Sequence, residues 1–234
     1  MVEELDLETY LCISKNEFEI HLFDVKNLNN LYSEKITFNN KTNYIDPETL
    51  DKFLKDNIFK IEKLSGNFVK NIFLIIENIE ISHLNFGIKK KSYENIITKK
   101  FLQLILNDAK DLFRENYKNY RITHILINRY LYNENYHQFF KNQFKGDCLS
   151  VELQFNFVSS DFIFEINKVL RKYQIALVGC MDGEYIKNYF TDKQIEYPEM
   201  IYKIRKGINE NEVKLISKNP KKNGFFERFF QLFS

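Results

Sequence analysis

Apolar and polar positions along the first forty residues follow the pattern of β-strands. Leu7–Ser14 and Phe18–Val25 are apolar-rich runs divided by Lys15-Asn16-Glu17, which predicts a hairpin, and a third strand is expected near Tyr32–Phe38. The period then changes. Asp46-Pro47-Glu48 reads as an N-cap, a first-turn proline and an acidic first turn. Leu50, Phe53, Leu54, Ile58, Ile61 and Leu64 follow at helical spacing up to Gly66. Asn71–Glu77 is a short continuous apolar run, suited to a strand buried on both faces, and Ile79–Ile88 predicts another strand.

A second helix is expected from Thr98, its N-cap, because Phe101, Leu102, Ile105, Ala109, Leu112 and Phe113 form one apolar stripe. Ile122–Tyr132 is strand-like and Cys148–Val158 alternates apolar and polar residues. Ser160 caps a helix with Phe162, Ile166, Val169, Leu170 and Tyr173 on its inner face, and Ile175–Cys180 closes the unit as a strand. The fold class this predicts is α/β.

The last residues carry a different pattern. Ser217–Gly224 is polar, basic and broken by Pro220 and Gly224, so it reads as a linker. Wound as a helix, Phe225, Phe226, Phe229, Phe230, Leu232 and Phe233 share an arc of about 160°, opposite Glu227, Arg228, Gln231 and Ser234. Beside Lys218, Lys221 and Lys222, that arc predicts a helix lying in a membrane interface against anionic headgroups. The alternative is a helix that docks on the body of the protein.

Composition narrows the function. Thirty-four Lys and Arg against thirty-two Asp and Glu leave a net charge of +2, which argues against a nucleic-acid partner. Seven Gly leave little material for glycine-rich phosphate loops. The start Met1-Val2-Glu3-Glu4 is acidic where a signal peptide is basic, and no long uncharged apolar run occurs, so a cytosolic body is expected. Cys12, Cys148 and Cys180 are too far apart for a Cys-x-x-Cys motif, and His21, His83, His124 and His137 lack metal-ligand spacing. Neither a catalytic group, a cofactor nor a metal is expected. Lys89-Lys90-Lys91 with Lys99-Lys100 reads as a solvated strand end, the alternative being contact with lipid phosphates or an acidic partner, and Asp182 before Gly183 reads as a turn rather than half of a carboxylate pair with Glu184.

The order of these elements resembles FtsA, the actin-like bacterial cell-division family. The resemblance covers roughly Leu7–Tyr189 and the tail. It rests on the three-stranded opening, on Asp46–Gly66 with Asn71–Ser82 behind it, on an insert holding Thr123–Leu131, Lys145–Val158 and Asp161–Tyr173, and on the terminal amphipathic segment. It implies a partial actin-like (ribonuclease H-like) subdomain carrying an inserted strand-helix-strand-strand subdomain and a C-terminal amphipathic helix. It also implies peripheral attachment to the cytoplasmic face of the bacterial inner membrane at the division site. Expected partners are division proteins, among them the tubulin-like FtsZ and late divisome membrane proteins, together with anionic lipid and further copies of the chain.

Departures from the family decide the chemistry. In place of an Asp-Ile-Gly-Thr-Ser type loop stands Cys12-Ile13-Ser14-Lys15-Asn16, without the acid or the glycine, and no second phosphate loop follows Cys180-Met181-Asp182-Gly183. The expectation is therefore a non-enzymatic adaptor that tethers septum components. A related adaptor of type IV pilus or type II secretion machinery is the alternative. The expected organisation is an actin-like subdomain over 1–83 with 180–206, an interaction insert over 84–179, a basic linker over 207–223 and the membrane helix over 224–234. Membrane contact falls to Lys221, Lys222, Phe225, Phe226, Arg228, Phe229, Phe230, Leu232 and Phe233, and partner contact to Tyr130, Tyr132, Tyr136 and Lys141.

Overall fold

A computed structural model of the chain describes residues 6–39, 45–191 and 194–214. The residues form two compact units. The described part of the first runs from Asp6 to Ile81 and from Ser160 to Ile208; the second is Ser82–Ser159 with Asn209–Lys214.

The first unit opens with β1 (Leu7–Ser14), β2 (Glu17–Asp24) and β3 (Asn29–Thr37), an antiparallel meander. Helix α1 (Pro47–Ser65) follows. The Asp46 carboxylate accepts from the Glu48 and Thr49 amides, and Gly66 ends the helix at φ 70°, a left-handed geometry that suits glycine. Strand β4 (Asn71–Glu77) then returns parallel to β1. After the second unit, α3 (Ser160–Arg171) leads into β11 (Ala176–Asp182), which lies parallel to β4. The sheet order is therefore β11-β4-β1-β2-β3. A three-stranded meander extended by two parallel crossover strands, with only β2 reversed, is a ribonuclease H-like arrangement.

Alternation along β1 and β2 divides the core between the two faces of this sheet. Phe18 meets Phe53 of α1 at 6.0 Å between ring centroids. On the opposite face Tyr10, Cys12, Phe23, Ile75 and Met181 pack against Ile186 and Phe190 of the α4 region and Ile201 and Ile204 of α5. Helices α4 (Gly183–Tyr189) and α5 (Tyr197–Arg205) were not foreseen in the sequence.

The second unit pairs β5 (Ile81–Lys91), β10 (Cys148–Ser159), β7 (Tyr120–Tyr132) and β8 (Asn135–His137) in that order. A small ribbon joins β6 (Ile96–Thr98) to β9 (Gln143–Lys145). Helix α2 (Lys99–Asn116), capped by Thr98 as expected, buries Leu102, Ile105, Leu106, Ala109 and Phe113 in a core shared with Ile125, Ile127, Tyr130, Tyr132, Val151, Leu153 and Phe155. Leu112, expected in the apolar stripe, is instead half-exposed.

Two boundaries drawn from the sequence shift. The insert was expected to reach Gly179, but α3 and β11 belong to the first unit: Tyr173 donates to the Asp51 carbonyl and carboxylate at 2.8 Å, and Lys172 lies 2.7 Å from the same carboxylate. An amphipathic helix shows which of its faces is buried, not which core buries it. The linker was expected from residue 207, yet Asn209–Lys214 is part of the second unit. The Ile127 amide donates to the Asn211 carbonyl and the Val213 amide to the Ile125 carbonyl, while the Val213 side chain enters the core.

Among the described residues no helix is long and apolar enough to cross a membrane. The proposed membrane segment, Lys221 to Phe233, lies outside the described residues.

Candidate functional site

In a sheet with parallel strands, ligands are expected beyond the carboxyl ends of those strands, where neighbouring crossovers leave in different directions. Strands β1, β4 and β11 bring Ser14, Glu77 and Asp182 to that edge, with Ser14 opposite Glu77 and Asp182 opposite Ile76. The β1–β2 turn beside them is tight, with Ile13 paired to Phe18, so its backbone is committed to the hairpin.

The chain fills this edge with its own groups. Asp182 is buried and its carboxylate caps α4, accepting from the Glu184 and Tyr185 amides at 2.9 and 3.2 Å. The expected turn at Asp182-Gly183 is thus a helix start, and Glu184 is its acidic first turn. Gly183 is required by close approach: a β-carbon there would stand 2.5 Å from Glu77 Cγ, 2.7 Å from the Tyr197 hydroxyl and 2.9 Å from Ile75 Cγ2. Tyr197, at the start of α5, donates its hydroxyl to Glu77 Oε1. Lys187 of α4 donates to Glu77 Oε2 at 2.5 Å, with its ammonium 4.7 Å from the centre of the Tyr197 ring. Burial, reinforced by the nearby Cys12 and Glu77, raises the Tyr197 phenol far above its ordinary value, so it remains a donor.

Cys12 and His21 occupy the neighbouring strands. Burial first, then the carboxylates of Glu77 and Glu19, pushes the Cys12 thiol up, which keeps it protonated and unsuited to nucleophilic attack. Glu19 is held below the ordinary carboxylate range, mainly by the His21 ring, whose Nε2 stands 3.4 Å away. No group of three or more His, Cys, Asp and Glu among the described residues is arranged to hold a metal. Gly183, Lys187 and Tyr197 were missed in the sequence. The available signal was Asp182 followed by Glu184, an N-cap and acidic first turn at a strand end.

The predicted partner residues divide. Tyr130 and Tyr132 are core residues, 2% and 5% exposed, and are corrected from surface anchors to packing groups. Tyr132 stacks at 3.8 Å on both His137 and Phe144. The cause is a bulge: Glu152 pairs with Arg129 but Leu153 pairs with Ile127, leaving Asn128 unpaired. A one-residue slip exchanges the two faces of a strand, so Tyr130 and Tyr132 turn inward. Tyr136 and Lys141 are exposed, and the Arg129 guanidinium sits 4.3 Å from the Tyr136 ring centre. In the Lys89–Lys91 run, Lys90 pairs with Asp108 at 2.5 Å.

The second unit also holds an apolar groove of about 470 Å3 between β5 and the end of α2, lined by Leu84, Phe86, Leu112, Phe113, Asn116 and Tyr117. Its floor is aromatic. Phe113 stacks on Tyr117 at 4.9 Å and on Phe155 at 5.2 Å, and Phe86 is 5.2 Å from Phe155.

No protein-family model and no curated protein matches this chain. It is similar to solved structures at low identity. A PilM–PilN type IV pilus biogenesis complex matches at 8% identity and TM-score 0.45, covering 79% of this chain and 50% of that one. The cytoplasmic domain of EpsL, an inner membrane component of the Vibrio cholerae type II secretion system, matches at 8% identity and TM-score 0.37, covering 77% and 57%. A Bacteroides thetaiotaomicron protein with an actin-like ATPase fold and unknown function matches at 12% identity and TM-score 0.33, covering 82% and 59%. The chain thus spans between half and three-fifths of the length of these structures.

Proposed function

We propose that this chain is a non-catalytic, membrane-associated adaptor of the actin-like kind. The observation that carries the reading is the closed strand edge: Glu77, Lys187 and Tyr197 satisfy one another where a phosphate and its cation would otherwise sit. A phosphate entering there meets a carboxylate, and displacing that carboxylate strips Lys187 and Tyr197 of their partner. The second unit serves as the protein-contact module, and the Phe-rich tail provides membrane contact through anionic lipid. FtsA-like tethering of septum components, with FtsZ and late division proteins as partners, is the machine the sequence resemblance names. A pilus or secretion platform is the second reading, and the closed edge supports a non-catalytic adaptor in both.

Calorimetry tests the shared core of both readings. The expected result is no saturable heat with Mg·ATP; binding in the micromolar range overturns it. A fluorescent fusion in dividing cells then separates them, since a band at the septum supports division and a signal independent of the septum supports the platform.

A further inference from the structure

We propose that the groove between β5 and α2 is the docking site for the chain's own aromatic tail, Phe225–Phe233, in the absence of lipid. Three observations converge. First, the groove is lined by Leu84, Phe86, Leu112, Phe113, Asn116 and Tyr117 and offers about 470 Å3, within the range of roughly 300–1,000 Å3 that buries compact apolar ligands. Three of its six lining residues are aromatic, Phe86, Phe113 and Tyr117, which suits a further aromatic side chain.

Second, Leu112 lines the groove and is 49% exposed, while Leu102, Ile105, Leu106, Ala109 and Phe113 of the same helix are buried. With Leu84, Phe86 and Tyr117 it makes one contiguous apolar surface, the kind that marks an interaction site.

Third, the described chain ends on this same unit. Val213 sits in the core that contains Phe113 and Phe155, and Lys214 follows it. The stretch 215–224 can span about 35 Å when extended. A body the size of the second unit, roughly 85 residues, has a radius of gyration of about 12 Å, so a linker of this length brings the tail to most of its surface. The tail supplies the matching chemistry, five phenylalanines and a leucine on one arc. An eleven-residue helix alone in water is unstable, and an apolar seat supplies what it lacks. Docking in this way does not depend on the membrane reading; it describes where the same arc resides before a bilayer is offered.

The chain contains no tryptophan, so Phe229→Trp in the full chain reports on the tail alone. Without lipid, its emission is expected to be blue-shifted relative to the same chain in denaturant. Adding Leu112→Glu should remove most of that shift while circular dichroism stays unchanged. Leu104→Glu, which alters an equally exposed residue of α2 outside the groove, should leave the shift intact. Solvent-like emission in the parent overturns the proposal. A shift that survives Leu112→Glu, or one that depends on protein concentration and so reports docking between copies, overturns it as well. No lipid enters this experiment, so its failure leaves the membrane reading standing.

Discussion

Tyr197 donates its hydroxyl to Glu77 across 120 residues of sequence, tying the start of α5 to the carboxyl end of β4. Because Lys187 takes the other oxygen of the same carboxylate, one partly buried acid holds two helices to the sheet edge. Removing the hydroxyl with Tyr197→Phe leaves Glu77 short of a donor. The expected loss is about 1–3 kcal/mol, read as a lower denaturant midpoint at unchanged slope.

Gly183→Ala tests the close approach at the same edge. The new methyl overlaps Glu77, Tyr197 and Ile75, and two of those contacts belong to the clamp itself. A destabilisation of about 1–3 kcal/mol is expected in thermal or denaturant unfolding. If alanine is accepted without loss, the edge is looser than its packing implies.

In the second unit, Tyr132 and Tyr136 should separate cleanly. Tyr132→Ala removes a buried ring stacked on both sides and is expected to cost about 3 kcal/mol or more. Tyr136→Ala loses only an exposed contact with Arg129, about 0.5–1 kcal/mol. Parallel urea titrations of the two variants give the comparison. A Tyr132→Ala variant that costs no more than Tyr136→Ala would overturn the placing of Tyr132 in the core.

The acid limb of stability should depend on Glu19. Its carboxyl is held below the ordinary value in the folded state, so between the folded and unfolded values the unfolded chain binds more protons and stability rises with pH. The contribution is complete above the unfolded carboxylate value of about 4.3 and is lost as pH falls through the lower folded value. Glu19→Gln should therefore flatten the decline below about pH 4, measured as denaturant midpoint against pH.

The tail reading makes its own prediction. Phe229→Glu with Phe230→Glu places two charges within the apolar arc. The double variant is expected to remain folded by circular dichroism but to stop sedimenting with acidic liposomes. Binding by the parent should weaken with salt, since each basic residue near an anionic surface contributes about 1 kcal/mol. Retained sedimentation of the double variant removes the tail from membrane contact.

Much of this architecture was legible before any coordinates. The meander, α1 with its Asp46 and Gly66 caps, β4 and α2 with its Thr98 cap emerge because each pairs a clear apolar period with a chemical stop signal. Strands β6, β8 and β9 have three residues each, too few for a period to register. The bulge at Asn128 has no sequence signature, so nothing in the strand-like run Ile122–Tyr132 tells that Tyr130 and Tyr132 face the core. The edge cluster was hidden for another reason. Glu77, Lys187 and Tyr197 are ordinary residues far apart in the chain, and only the parallel register of β1, β4 and β11 makes them neighbours.

The segment Asn211–Val213 pairs with Leu126 and its neighbours on β7, and Glu212 meets the His124 ring at 2.6 Å from 88 residues downstream. This gives biosynthesis a built-in delay. At roughly 5–20 residues per second, the ribosome needs about 5–20 seconds after making His124 to deliver its partner. Until then Ile125 and Ile127 present unpaired backbone groups along an apolar strand, the kind of edge that recruits foreign strands. That edge therefore stays open until the end of the described chain is made, and a chain stopped just before Asn209 would emerge with it still open.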